Sequence, residues 1–131
     1  MILVDASVWI DYFNGLSTWQ TDLLDNYLSH TPIIMGDLIL AQVLQGFKSD
    51  RDYESARDLL GALPFRRIGG YEVAVQSAQN YRALRRSGVV IRKTVYVVIG
   101  TFCIMEGLSL LHDDRDFDPM VSCLNLKTPS P

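Results

Sequence analysis

Four aspartates crowd into "LLHDDRDFD", residues 110–118, where Asp113, Asp114, Asp116 and Asp118 fall within six positions directly after a short apolar run. Carboxylates at that density repel one another unless water screens them or a cation neutralises them. A further acid, Asp5, ends another short apolar run, "ILV" at residues 2–4. In a parallel α/β sheet, ligands bind outside the carboxyl ends of the strands, so two acidic sites remote in sequence would meet at one sheet edge. Taken singly, each aspartate is explained as a helix cap or a polar turn. Taken together, with Arg115 the only cation among them, they are better explained by a bound divalent cation.

Spacing excludes several devices. Asp114, Asp116 and Asp118 open like an EF-hand, but Pro119 stands where that loop needs glycine and Asn125 where a bidentate glutamate belongs. "DAS" at residues 5–7 holds one aspartate, which rules out an aspartyl-phosphate nucleophile followed by an acid. No glycine-rich phosphate loop and no G-x-S-x-G elbow occur, and His30 and His112 have no nucleophile in their sequence context. What remains is an oxygen-lined Mg²⁺ or Mn²⁺ site open to a phosphodiester, where the ion would lower the pKa of a bound water and neutralise the leaving oxygen.

The elements that must position these groups follow from pattern. "ILV" does not alternate, which suits a strand buried on both faces, and "ASVWIDYFNG" reads as a helix closed by Gly15. Residues 17–30 form a second helix, with Leu23, Leu24, Tyr27 and Leu28 at helical spacing. "DLILAQVLQGF" is a third, placing Leu40, Val43, Leu44 and Phe47 on one face and Gln42 and Gln45 on another. "DRDYESARDLLGAL" and "GYEVAVQSAQNYRALRRSG" are helices, and "FRRI" is a short strand. "RKTVYVVIGTFCIMEG" is rich in β-branched residues yet too long for an ordinary strand, so a helix is expected. "LSLLH" and "CLNLK" read as strands, and residues 126–131 as a loose tail. Strands alternating with helices predict an α/β fold with a mostly parallel sheet, in a single domain over residues 1–131.

At 131 residues and 48% hydrophobic content, one sizeable core is expected. No apolar run is long enough to cross a bilayer and no secretory leader precedes the first strand, which predicts a cytoplasmic protein without a membrane partner. Cys103 and Cys123 lack C-x-x-C spacing and are expected as reduced, buried thiols. The net charge of −3 excludes a uniformly basic surface, but five of the twelve Lys and Arg residues lie between Arg82 and Lys93. Arg82, Arg85 and Arg86 share one helix face, and Arg92 and Lys93 follow a short break. Such a stripe is either a solvated helix face or a phosphate-binding edge.

"MILVDASVWIDYF", "GDLILAQVLQGF" at 36–47, "SGVVIRKTVYVVIGTFCI" at 87–104 and "LSLLHDDRDFDPM" at 108–120 resemble PIN-domain ribonucleases, specifically VapC-type toxins of toxin–antitoxin modules. The similarity runs in order over nearly the whole chain. It implies a three-layer α/β/α fold with a central parallel sheet, and Mg²⁺- or Mn²⁺-dependent cleavage of RNA, often tRNA. It also implies a homodimer and inhibition by a VapB antitoxin in a heterotetramer or larger assembly. Asp5 matches the family's first acid and Ser7 its nearby hydroxyl; Asp114 matches the late acid and Asp116 the accessory one. These three aspartates are then the implied metal ligands, with Arg92, Lys93, Arg85 and Arg86 as RNA phosphate contacts.

Two family acids are missing. A glutamate is expected where Gln42 stands, and an aspartate where Tyr96 stands. Gln42 keeps the shape and one carbonyl oxygen of glutamate and could still hold a water. Tyr96 is the graver change, because a neutral phenol is a poor ligand for a hard cation. Cation binding is therefore expected to be weakened and cleavage reduced or abolished. The alternative expectation is an inactive PIN domain that binds an antitoxin or RNA.

Overall fold

A computed structural model describes residues 1–131. The first apolar run becomes β1 (Ile2–Val4), followed by α1 (Ala6–Phe13), α2 (Trp19–His30), β2 (Ile33–Gly36), α3 (Asp37–Leu44), α4 (Asp50–Gly61) and β3 (Phe65–Arg66). The second half contributes α5 (Tyr71–Arg86), α6 (Thr94–Glu106), β4 (Ser109–Leu111), a 3-10 turn (Arg115–Phe117) and α7 (Asp118–Leu124). The strands lie in the order β3-β2-β1-β4 and every pairing is parallel. The expected α/β fold with a central parallel sheet is thus present.

β1 and β2 bury every residue, as strands covered on both faces must, and this is why their sequences do not alternate. The helices pack in two groups, α1 with α2 and α3, and α3 with α4, against α5 with α6 and α7. One continuous core of 26 buried side chains joins both groups through the sheet. The "RKTVYVVIG" ambiguity resolves as the helix α6, which buries six of the seven positions from Val97 to Cys103, all but Val98. A helix apolar all round has no amphipathic period to read. Gly100 lets α7 close on it, since a Cβ there would stand 2.5 Å from the Met120 sulfur.

Three local expectations fail. "CLNLK" is not a strand: Pro119 starts α7, which uses residues 118–124, and Asn125 ends it in the left-handed region at φ 60°. The segment from residue 126 is not loose throughout, because Leu126 is buried and the Leu110 amide donates to the Lys127 carbonyl at 2.9 Å. Cys103 is buried but Cys123, on α7, is exposed. No helix is long and apolar enough to cross a membrane.

Candidate active site

β1 and β4 are adjacent, with Val4 opposite Leu111, so the chain leaves both strands at the same sheet edge. β1 also marks the point where the strand order reverses, since β2 lies on its other side, and such a crevice is where open α/β sheets bind ligands. The Asp5 amide donates to the Leu111 carbonyl at 2.9 Å, tying the two acidic segments together by backbone.

Asp5 is the N-cap of α1 and only 3% exposed. Its carboxylate accepts from the Ser7 amide at 3.0 Å and from the Ser7 hydroxyl at 2.6 Å. The Ser7 oxygen in turn accepts from the Asp113 amide at 3.1 Å, so Ser7 links both acidic segments. Burial pushes the Asp5 pKa above its ordinary value, while the Ser7 hydroxyl and amide, then His112, pull it part of the way back.

Asp114 caps the 3-10 turn, its carboxylate accepting from the Asp116 amide at 3.0 Å. Its own amide donates to His112 Nδ1 at 3.2 Å. Tyr96 lies in the first turn of α6, with Asp114 as a neighbour. Burial, then Asp114, then the charges of Asp116 and Asp5, push the phenol from 10.0 up to about 12. At neutral pH it is therefore a protonated donor. Its ring meets Phe117 edge-on at 5.3 Å and 88°, and Phe117 also meets the His112 ring at 5.0 Å.

The structure gathers Asp5, Ser7, Asp114, Asp116 and Tyr96 at one edge, and leaves Asp113 and Asp118 exposed. Gln42, half-buried on α3, hydrogen-bonds none of them; its Oε1 is buried without any partner. Arg85, Arg86, Arg92 and Lys93 are exposed and form no ion pairs, with the Arg85 guanidinium 5.8 Å over the Tyr81 ring. His112 and Phe117 are the residues that sequence reasoning passed over. Their adjacency to the aspartates was the available signal, but bracing through ring contacts is invisible in spacing.

A resident divalent cation is poorly served here. No three His, Cys, Asp or Glu side chains in the chain converge as a metal-binding group. A hard cation needs several oxygens at once. The Asp116 amide already engages Asp114, and Ser7 engages Asp5. The residues present do not fit the ion that the family resemblance implies.

The result is a small parallel α/β protein with Asp5 and Asp114 beyond the carboxyl ends of the adjacent strands β1 and β4. No family model matches the chain. Curated relatives do: it is 29% identical over 132 residues to ribonuclease VapC11 of Mycobacterium tuberculosis, covering 99% of this chain and 98% of the relative. A VapC ribonuclease of Mycobacterium bovis matches with the same identity and coverage. Among solved structures, VapBC2 from Rickettsia felis, bound to a DNA fragment from its promoter, superposes with a TM-score of 0.76 at 16% identity, covering 98% of each chain. FitAcB from Neisseria gonorrhoeae superposes with a TM-score of 0.73 at 13% identity, covering 100% of this chain and 98% of that one. Over nearly its whole length the chain is similar to VapC ribonucleases, and its fold is that seen in the VapBC2 and FitAcB structures.

Proposed function

We propose that this chain is a VapC-like toxin whose divalent-metal-dependent cleavage of RNA, tRNA included, is reduced or abolished, and whose partner is a VapB-type antitoxin. The single observation that carries the loss of activity is that no three metal-binding side chains converge in the chain, with the phenol of Tyr96 in the first turn of α6 beside the acids. Replacing two family carboxylates by the amide of Gln42 and the phenol of Tyr96 also removes two negative charges. Both changes act against Mg²⁺ or Mn²⁺. Whole-length similarity to VapC ribonucleases supports the toxin assignment, and the likeness to VapBC2 supports an antitoxin partner. We place the protein in the cytoplasm, as a homodimer that assembles with antitoxin into a heterotetramer or larger complex.

RNA cleavage by the wild type is compared with that by Gln42→Glu, Tyr96→Asp and the double variant, each with Mg²⁺ or Mn²⁺. The double variant should cleave RNA and arrest growth, both suppressed by the antitoxin, while the wild type does little. A wild type that cleaves as fast as the double variant overturns the reading. The same arrangement favours a second role, an inactive domain that occupies an antitoxin or holds RNA through Arg85, Arg86, Arg92 and Lys93. Tight antitoxin or RNA binding by the wild type, with no turnover, selects it.

A further inference from the structure

The arginine stripe of α5 borders a cavity that shares no residue with the acids. Ala74, Ser77 and Ala78 on α5 are too small to fill the space facing Val97 and Val98 on α6, and a groove of about 370 Å³ remains between the two helices. That is the size of a small-molecule site. Three residues beyond Ser77, the Asn80 side-chain amide donates to the Thr101 hydroxyl at 3.0 Å, so polar groups between these helices find partners where the pair closes. Ser77 does not: it lines the groove, is only 3% exposed, and its buried hydroxyl has no hydrogen-bond partner. Folded proteins seldom leave such a group unmet.

Tyr81, Arg82 and Arg85 also line the groove, with the Arg85 guanidinium 5.8 Å from the Tyr81 ring centroid. Arg82 donates to the neutral Gln79 side chain at 3.1 Å, neither arginine is in an ion pair, and no acid lines the groove. A bare inorganic anion has no use for the apolar walls, and a neutral apolar ligand has none for two unpaired cations. A nucleotide uses both, since bases stack on aromatic rings and guanidinium planes while phosphates take arginine.

We propose that the α5–α6 groove is a nucleotide subsite for single-stranded RNA, in which a base enters beside Tyr81, its edge meets the Ser77 hydroxyl, and its phosphate lies on Arg82 and Arg85. This rests on the reading of the chain as a VapC-like protein that engages RNA, and deepens it by giving the strand a base slot apart from the acids. Val97 and Val98 directly follow Tyr96 on α6, so one helix turn borders both places and one strand can meet both.

The test is fluorescence anisotropy of labelled oligo(A) and oligo(U) hexamers with the full chain in EDTA, so that no metal ion takes part and nothing is cut. Ala78→Leu, at an exposed position of α5, fills the groove without altering charge and should weaken binding about tenfold, as the loss of one stacked base does. Ala74→Leu, likewise exposed, is the second filler should the first not fold. Replacing Arg82 and Arg85 together by Gln should weaken binding and flatten its salt dependence. An abasic hexamer, which keeps the phosphates, should bind the wild type more weakly and be indifferent to Ala78→Leu.

Hexamer affinity unchanged in both leucine variants overturns the slot, and so does an equal loss for the abasic hexamer. Failure of the wild type to bind either hexamer at low salt overturns it too. RNA binding or cleavage that ignores the fillers sinks the slot and leaves the toxin reading standing. Hexamer binding through the groove, by a protein that still cleaves no RNA with Gln42→Glu and Tyr96→Asp, sinks that reading and leaves the slot.

Discussion

Asp5 and Asp114 sit at the same sheet edge, yet they are held in opposite ways. Asp5 is fixed by its own neighbours, as the cap of α1 with Ser7 two positions on, and the Asp113 amide binds the same serine. Asp114 also caps a turn, but it has the Tyr96 phenol of α6 as a neighbour from a remote element. The contrast bears on which acids this chain retains. An aspartate that caps a helix satisfies orphan backbone donors as well as any ligand, so removing it costs stability. Position 42 lies inside α3, where no backbone group depends on a carboxylate, whereas position 96 lies in the first turn of α6, which has no side-chain cap.

The largest expected effect comes from breaking the Asp114 side alone. Phe117 is fully buried and carries both the Tyr96 and the His112 rings, so Phe117→Ala should cost about 3–5 kcal/mol in urea denaturation. A loss well under about 1 kcal/mol would mean that the brace is not structural.

A smaller effect separates charge from capping at Asp5. Asparagine also caps, so Asp5→Asn keeps that role and removes the ionisation. With the pKa of Asp5 raised in the folded protein, the native state holds its proton more tightly than the unfolded chain. Stability therefore falls as pH rises through this range, and ionised Asp5 is a net cost at neutral pH. The melting temperature of the asparagine variant, relative to wild type, should climb from about pH 4 to about pH 7. A difference that stays constant would show that burial does not penalise the charge.

The smallest effect concerns Tyr96. Tyr96→Phe should cost about 0.5–1.5 kcal/mol at neutral pH, the size of one hydrogen bond. Between 10.0 and about 12 the unfolded phenol ionises while the folded one does not, so wild-type stability should drop there relative to Tyr96→Phe. If the two proteins keep a fixed difference through that range, the acids do not hold the phenol protonated.

Much of this was legible in the chain. "ILV" reads as a buried strand because it fails to alternate, "LSLLH" reads as a strand, and acids following both strands place the site at the sheet's carboxyl edge. Position 42 and position 96 became informative only through resemblance, since a glutamine and a tyrosine on helices are unremarkable by pattern. The place of Tyr96 beside Asp114 was out of reach. It depends on how α6 docks over β4 and the 3-10 turn, and α6 has no amphipathic face that would announce its orientation. "CLNLK" misled because its apolar alternation is genuine, while the bounds of α7 are set by Pro119, four residues before it, and by Asn125 at its centre.

One backbone bond carries a consequence outside the site. β4 is an outermost strand, and an uncovered outermost strand invites another chain to pair with it. The Lys127 carbonyl already takes the Leu110 amide. At the other border β3 has two residues, too few to template a growing ladder. The sheet therefore offers its neighbours no free strand of useful length on either side, a built-in guard against aggregation.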